Sequence, residues 1–102
     1  MSHSVDPADW VYVAVQNPGA SETILGQQDP EHRVNFIPVF KDKESALQGV
    51  ALMAKTPGQR YEVQAIIYED LLGYVRQEGF LLFFLDGAGR ILSKIGSDGR
   101  PL

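Results

Sequence analysis

The side chains best suited to chemistry stand together in one run, Asp29-Pro30-Glu31-His32-Arg33. Imidazole titrates near neutral pH and carboxylates are hard oxygen donors, so this composition suits a general base or a ligand site. The run closes residues 17–33, NPGASETILGQQDPEHR, a connection long enough to be functional, mobile or concealing a short element. Against chemistry, Asp-Pro is an ordinary turn initiator, and the other histidine, His3, sits far away near the N-terminus. Asp29, Glu31, His32 and Arg33 are therefore read first as a solvated turn and second as a small-molecule site. No metal and no cofactor is expected.

Two further constellations have structural explanations. Glu69 and Asp70 are adjacent carboxylates at a predicted helix start, where capping and the helix dipole favour acids. Gly87-Ala88-Gly89 resembles a phosphate-cradling turn, but such a turn needs a helix directly after it. Here Arg90-Ile91-Leu92-Ser93-Lys94-Ile95 follows, short and strand-like, so the glycines predict a hairpin. No Gly-x-Ser-x-Gly elbow, HExxH or EF-hand spacing occurs. GFLLFF echoes an RNA-binding aromatic motif, yet its opening basic residue is Glu78 here and its second small residue is Leu81. No catalytic residue is assigned, and a non-catalytic domain is expected.

The elements that must position these residues follow from periodicity. WVYVAVQ (10–16) alternates as a half-buried strand. VNFIPVF (34–40) is a second strand whose Pro38 lacks an N–H, which predicts a sheet edge or a bulge. A helix follows Asp42, its N-cap, with Leu47, Val50, Ala51 and Ala54 on the inward stripe, and stops at Thr56-Pro57-Gly58. RYEVQAIIY (60–68) is a strand; EDLLGYVRQEG (69–79) is a short helix with Leu71, Leu72 and Val75 inward and Gly79 as its left-handed cap. The order β-β-α-β-α-β-β predicts an α+β domain with a single, mostly antiparallel sheet of about five strands and two helices on one face. Residues 1–9 read as an arm, 10–95 as the domain and 96–102 as a tail.

Phe80 to Leu85 is apolar at every position, and 34–40 carries Phe36 and Phe40 on one face against Ile37 and Val39 on the other. A strand apolar on both faces is covered on both. Two helices on one face leave the second open, so that face is expected to be an interface formed by Phe36, Phe40, Ile66, Tyr68, Phe83 and Leu85. The simplest occupant is a second copy in a homodimer.

Composition narrows the partners. The 102 residues carry a net charge of −4 with scattered basic residues, a surface that repels phosphate backbones and anionic membranes. No cysteine is present, which removes disulfides, thiolate metal sites and thiol nucleophiles. The opening MSHSVDPADW lacks a basic and an apolar signal region, and no apolar run approaches the roughly 20 residues that span a bilayer. A cytoplasmic domain is expected, with no nucleic acid and no membrane among its partners.

The strand FIPVF leading straight into KDKESAL, the strand YEVQAII entering EDLL, and the apolar strand after that helix resemble the N-terminal domain of the SseB family. These are small bacterial α+β proteins; other small bacterial proteins of unknown function are similar to about the same degree, and the resemblance spans roughly residues 10–92. It implies the fold and a bacterial origin, and it assigns no activity. The expected function is self-association or protein binding on an apolar sheet face. The alternatives are a small-molecule-binding regulatory module using the 17–33 loop, and a small enzyme using His32 with a neighbouring carboxylate.

Overall fold

The alternation of WVYVAVQ is realised as β1 (Trp10–Gln16), the first element of a computed structural model that describes residues 5–102. Then come β2 (Thr23–Ile24), β3 (Gln27–Asp29), β4 (Val34–Val39), α1 (Lys43–Ala51), β5 (Tyr61–Ile67), α2 (Tyr68–Glu78), β6 (Leu81–Leu85) and β7 (Ile91–Ile95). His3 lies outside the described residues.

The α+β class holds, but the single sheet is two: β2-β1-β5 and β3-β4-β6-β7, joined by an antiparallel bridge between Tyr12 and Phe40. All pairings within the sheets are antiparallel except β4 with β6. From the Tyr12–Phe40 bridge β1 and β4 diverge like a fork, and residues 23–29 fill the opening. There β2 lies along β1 through Val15–Ile24, and β3 lies along β4 through Gln27–Phe36. The long connection thus conceals two short strands, with Leu25 buried at their junction and its N–H donating to the Ala14 carbonyl at 2.8 Å.

Pro38 is not on an edge strand, because β4 runs between β3 and β6. Alternate residues of a strand direct their N–H groups to the same side. The Phe40 N–H donates to the Tyr12 carbonyl, so position 38 faces the same flank, where β3 pairs only as far as Phe36. The missing donor falls in the gap between β3 and β1, the one stretch of that flank with no strand to bond.

The two helices cover opposite faces, which overturns the expectation that they share one. Val11, Val13 and Val15 of β1, Ile37 and Val39 of β4, and Leu82 and Phe84 of β6 pack with Tyr68, Leu71 and Val75 of α2. The alternate residues Ala14, Phe40, Phe83 and Leu85 pack with Ala46 and Val50 of α1. Each face therefore has its own helix, and the doubly apolar pattern of β4 and β6 is satisfied within one chain. Burying each of these large side chains stabilises by about 1.5–3 kcal/mol.

Asp42 caps α1 as expected, its Oδ1 accepting from the Ser45 N–H at 2.8 Å. The inward stripe differs from the periodic one: Ala46, Gly49 and Val50 are buried, Leu47 is 55% exposed, Ala51 is exposed, and Ala54 lies beyond the helix. Small residues set the contact side because α1 rests directly on the Phe40 ring at Gly49. In α2, Leu71 and Val75 are buried, Leu72 is half-buried, and Gly79 takes φ +81 as the left-handed cap. No side chain caps its start. Instead the carbonyls of Asp9 and Pro7 accept from the Tyr68 and Glu69 N–H groups at 2.8 and 2.9 Å, tying the arm to the helix.

The 96–102 segment, read as a tail, folds back on β7. Ile95 bridges Pro101, and the Leu102 N–H donates to the Lys94 carbonyl at 3.0 Å. No helix is long and apolar enough to cross a membrane among the described residues.

Candidate functional site

The predicted chemical run becomes the β3–β4 turn. Asp29 organises it: Oδ1 accepts from the Glu31 and His32 N–H groups at 3.0 and 3.4 Å, and Oδ2 lies 3.0 Å from His32 Nδ1. Arg33 closes the turn with φ +55. The hydrogen bond from the His32 ring holds the Asp29 carboxyl below the usual carboxylate range. Potential ligand atoms of Asp29, Glu31 and His32 lie within 4.8 Å of one another, with Glu31 and His32 exposed. The Asp29 Oδ1 bond to the Glu31 N–H is an Asx turn at the tip of the β3–β4 hairpin, and the His32 ring contact is made in addition to it.

The Gly87-Ala88-Gly89 turn is a hairpin between β6 and β7, with Gly89 at φ +85. Asp86 Oδ1 accepts from the Ala88 and Arg90 N–H groups, both at 2.9 Å, and Oδ2 accepts from Arg90 Nε at 2.8 Å. These bonds, the Arg90 N–H foremost, lower the Asp86 pKa. A strand follows, so no helix N-terminus meets an anion there.

Of the six residues expected at an interface, Phe40, Tyr68, Phe83 and Leu85 are buried in the chain's own core. They have no surface to offer a partner, for the reason given above: α1 covers one face and α2 the other. Phe36 is half-buried and stacks on Phe83, ring centroids 4.2 Å apart and planes 13° from parallel. Ile66 is half-buried and lines a cleft.

That cleft is the candidate site. It has a volume of about 280 Å³ and lies on the α2 side of the β2-β1-β5 sheet, beside residues 22–24. Val13, Val15 and Ile66 form an apolar floor, Ile24 one wall, and Tyr74 of α2 the other. Tyr74 is held in place by stacking on Phe80, centroids 6.3 Å apart and planes 8° from parallel. Its phenol is pushed up from the ordinary tyrosine pKa by burial and then by the Glu78 carboxylate, so it is neutral and able to donate at neutral pH. The rim is rich in acceptors. Glu22 spends one oxygen on the Gly19 N–H at 2.9 Å, and Gln64 directs its Nε2 to Glu62 Oε1 at 2.9 Å, which leaves its own amide oxygen to accept.

None of Asp29, Glu31, His32 or Arg33 lines this cleft; the 17–33 segment reaches it through Glu22, Thr23 and Ile24 instead. Sequence reasoning missed these and Tyr74. The available signal was Tyr74 three residues after Leu71, a side chain with a polar tip on the inward stripe of the helix. No family model, curated protein or solved structure matches the chain.

Proposed function

We propose that this is a non-catalytic binding domain that takes a small amphipathic ligand in the cleft between residues 22–24 and the β1–β5 face. The observation that carries the reading is the cleft itself: an apolar floor with a few convergent polar groups is the usual construction of a small-molecule site. Its volume suits a single flat ring system rather than a large cofactor. The rim selects by charge. Glu22 and the Gln64 amide oxygen accept hydrogen bonds, so a neutral or cationic ligand is favoured and an anion is disfavoured. The buried faces of β4 and β6 support this reading over protein binding on a sheet face, since the core consumes four of the six residues expected there.

Three bicyclic probes of one shape and different charge test it: indole, tryptamine and indole-3-acetate. Titrated into ¹⁵N-labelled protein, tryptamine and indole shift the amide signals of Ile24, Gln64, Ile66 and Tyr74, and indole-3-acetate binds at least several-fold more weakly. Absence of shifts at those four positions up to millimolar probe overturns the reading, as does tighter binding of the anion. Ile66→Glu places a carboxylate on the cleft floor and abolishes the indole response.

A further inference from the structure

The domain has two long edge strands, β5 and β7, and it protects only one. On β7 the returning 100–102 segment pairs at Ile95, Lys94 is at hand, and a bulge at Phe84/Leu85 bends the pair. These are devices that keep sheet edges from pairing with another chain. β5 has none of them. It is seven residues long, contains no proline or lysine, and pairs with β1 in unbroken register. None of its residues is buried.

The Asn17 N–H donates to the Arg60 carbonyl and the Tyr68 N–H to the Asp9 carbonyl, so the even positions of β5 bond β1. Tyr61, Val63 and Ala65 therefore point their N–H and C=O groups away from the sheet, as Ile67 does its N–H, while the Ile67 carbonyl belongs to α2 as its N-cap.

We infer that β5 is a homodimer edge, pairing antiparallel with β5 of a second copy about a two-fold axis through Gln64. The sequence YEVQAII is self-complementary in that register. Tyr61 meets the second copy's Ile67 and Val63 meets its Ala65, so the outward amides and carbonyls of Val63 and Ala65 are satisfied, the Ile67 N–H meets the Tyr61 carbonyl, and these pairs are apolar. The two Gln64 side chains face each other across the axis, and an amide is its own complement, donor to acceptor. Charge disfavours the registers centred nearer Glu62. Centring on Glu62 sets two carboxylates directly opposite, which is destabilising, and centring on Val63 leaves them diagonal neighbours. Centring on Gln64 separates them by four positions, about 13 Å at roughly 3.3 Å per residue. A register slip would also turn the strand's other face to the partner.

The two-fold stands perpendicular to the joined sheet and keeps like faces together, so the two clefts open side by side with the paired Gln64 side chains between them. The inference stands on the strand edge and is independent of what the cleft holds.

The test is solution mass by light scattering across a dilution series, with far-UV circular dichroism as the check on folding. The wild-type chain has twice its 11.3 kDa mass at high concentration. Ala65→Pro removes an outward N–H and seats a ring on the edge; it is monomeric at every concentration. Gln64→Glu sets carboxylates opposite each other on the axis, weakens the dimer several-fold at pH 7 and recovers below pH 4. A wild-type monomer at millimolar concentration overturns the inference. So does a dimer whose dissociation is unchanged in Gln64→Glu, the deciding variant if Ala65→Pro does not fold. The mass readout does not depend on probe binding, so failure here leaves the cleft reading standing, and the reverse.

Discussion

Gly49 of α1 lies against the ring of Phe40, so closely that a β-carbon at position 49 would overlap Cε1 of that ring. Phe40 is fully buried and also makes the backbone bridge to Tyr12, so the ring has little room to withdraw. The helix sits at this distance because residue 49 has no side chain.

Two glycine-to-alanine changes should therefore move in opposite directions. In G49A the gain in helix propensity, about 1 kcal/mol, is outweighed by overpacking of typically 1–3 kcal/mol against Phe40. G73A, in α2, meets nothing within 4 Å and gains that propensity outright, by up to about 1 kcal/mol. Urea midpoints at constant m-value decide the matter; a stabilised G49A would show that α1 can lift off the ring.

Asp42 provides the only side-chain cap at the N-terminus of either helix, its Oδ1 bonded to the Ser45 N–H and its Oδ2 to Ser45 Oγ at 3.1 Å. Asp42→Ala should cost about 1 kcal/mol, and Asp42→Asn much less, because asparagine caps comparably. Equal losses from the two variants would place the effect in charge rather than in capping.

Acid should weaken the β6–β7 hairpin through Asp86. Its folded pKa is depressed, so the stabilisation is fully present above the ordinary carboxylate value of about 4 and is lost as pH falls through the lower folded value. Stability measured from pH 6 to pH 2 should converge for wild type and Asp86→Asn at the acid end, the difference between them shrinking below pH 4. A difference that stays constant with pH would exclude the carboxylate charge as its source. Asp29 follows the same sign through its bond with His32.

Most elements were legible because they obey a period. β1, β5 and α2 show it, and Gly79 and Asp42 mark helix ends by their own chemistry, while α1 turns its small residues rather than its periodic stripe inward. β2 and β3 were not legible: two and three residues are too few for alternation, and Gln27-Gln28-Asp29 is polar throughout. The lack of alternation in β4 and β6 announced that both faces are covered, but it names no occupant. Which helix takes which face depends on the crossover from β4 to β6, a long-range fact absent from any local window. The cleft was invisible for the same reason. Its walls come from β1, the 22–24 segment, β5 and α2, and none of them bears a motif.

The parallel register of β4 on β6, from Phe36–Leu81 to Val39–Phe84, also dictates the order in which the protein can be made. Between those strands the chain must lay down α1, β5 and α2, so the pairing closes a long loop whose entropy is lost before its contacts form. A growing chain that has not yet reached Tyr61 holds only the short pairings of β2 on β1 and β3 on β4 and the Tyr12–Phe40 bridge. Ile37, Val39 and Phe40 then have neither α2 nor β6 beside them. The α2-side face of β4 is therefore completed only when α2 and residues 81–85 have been added.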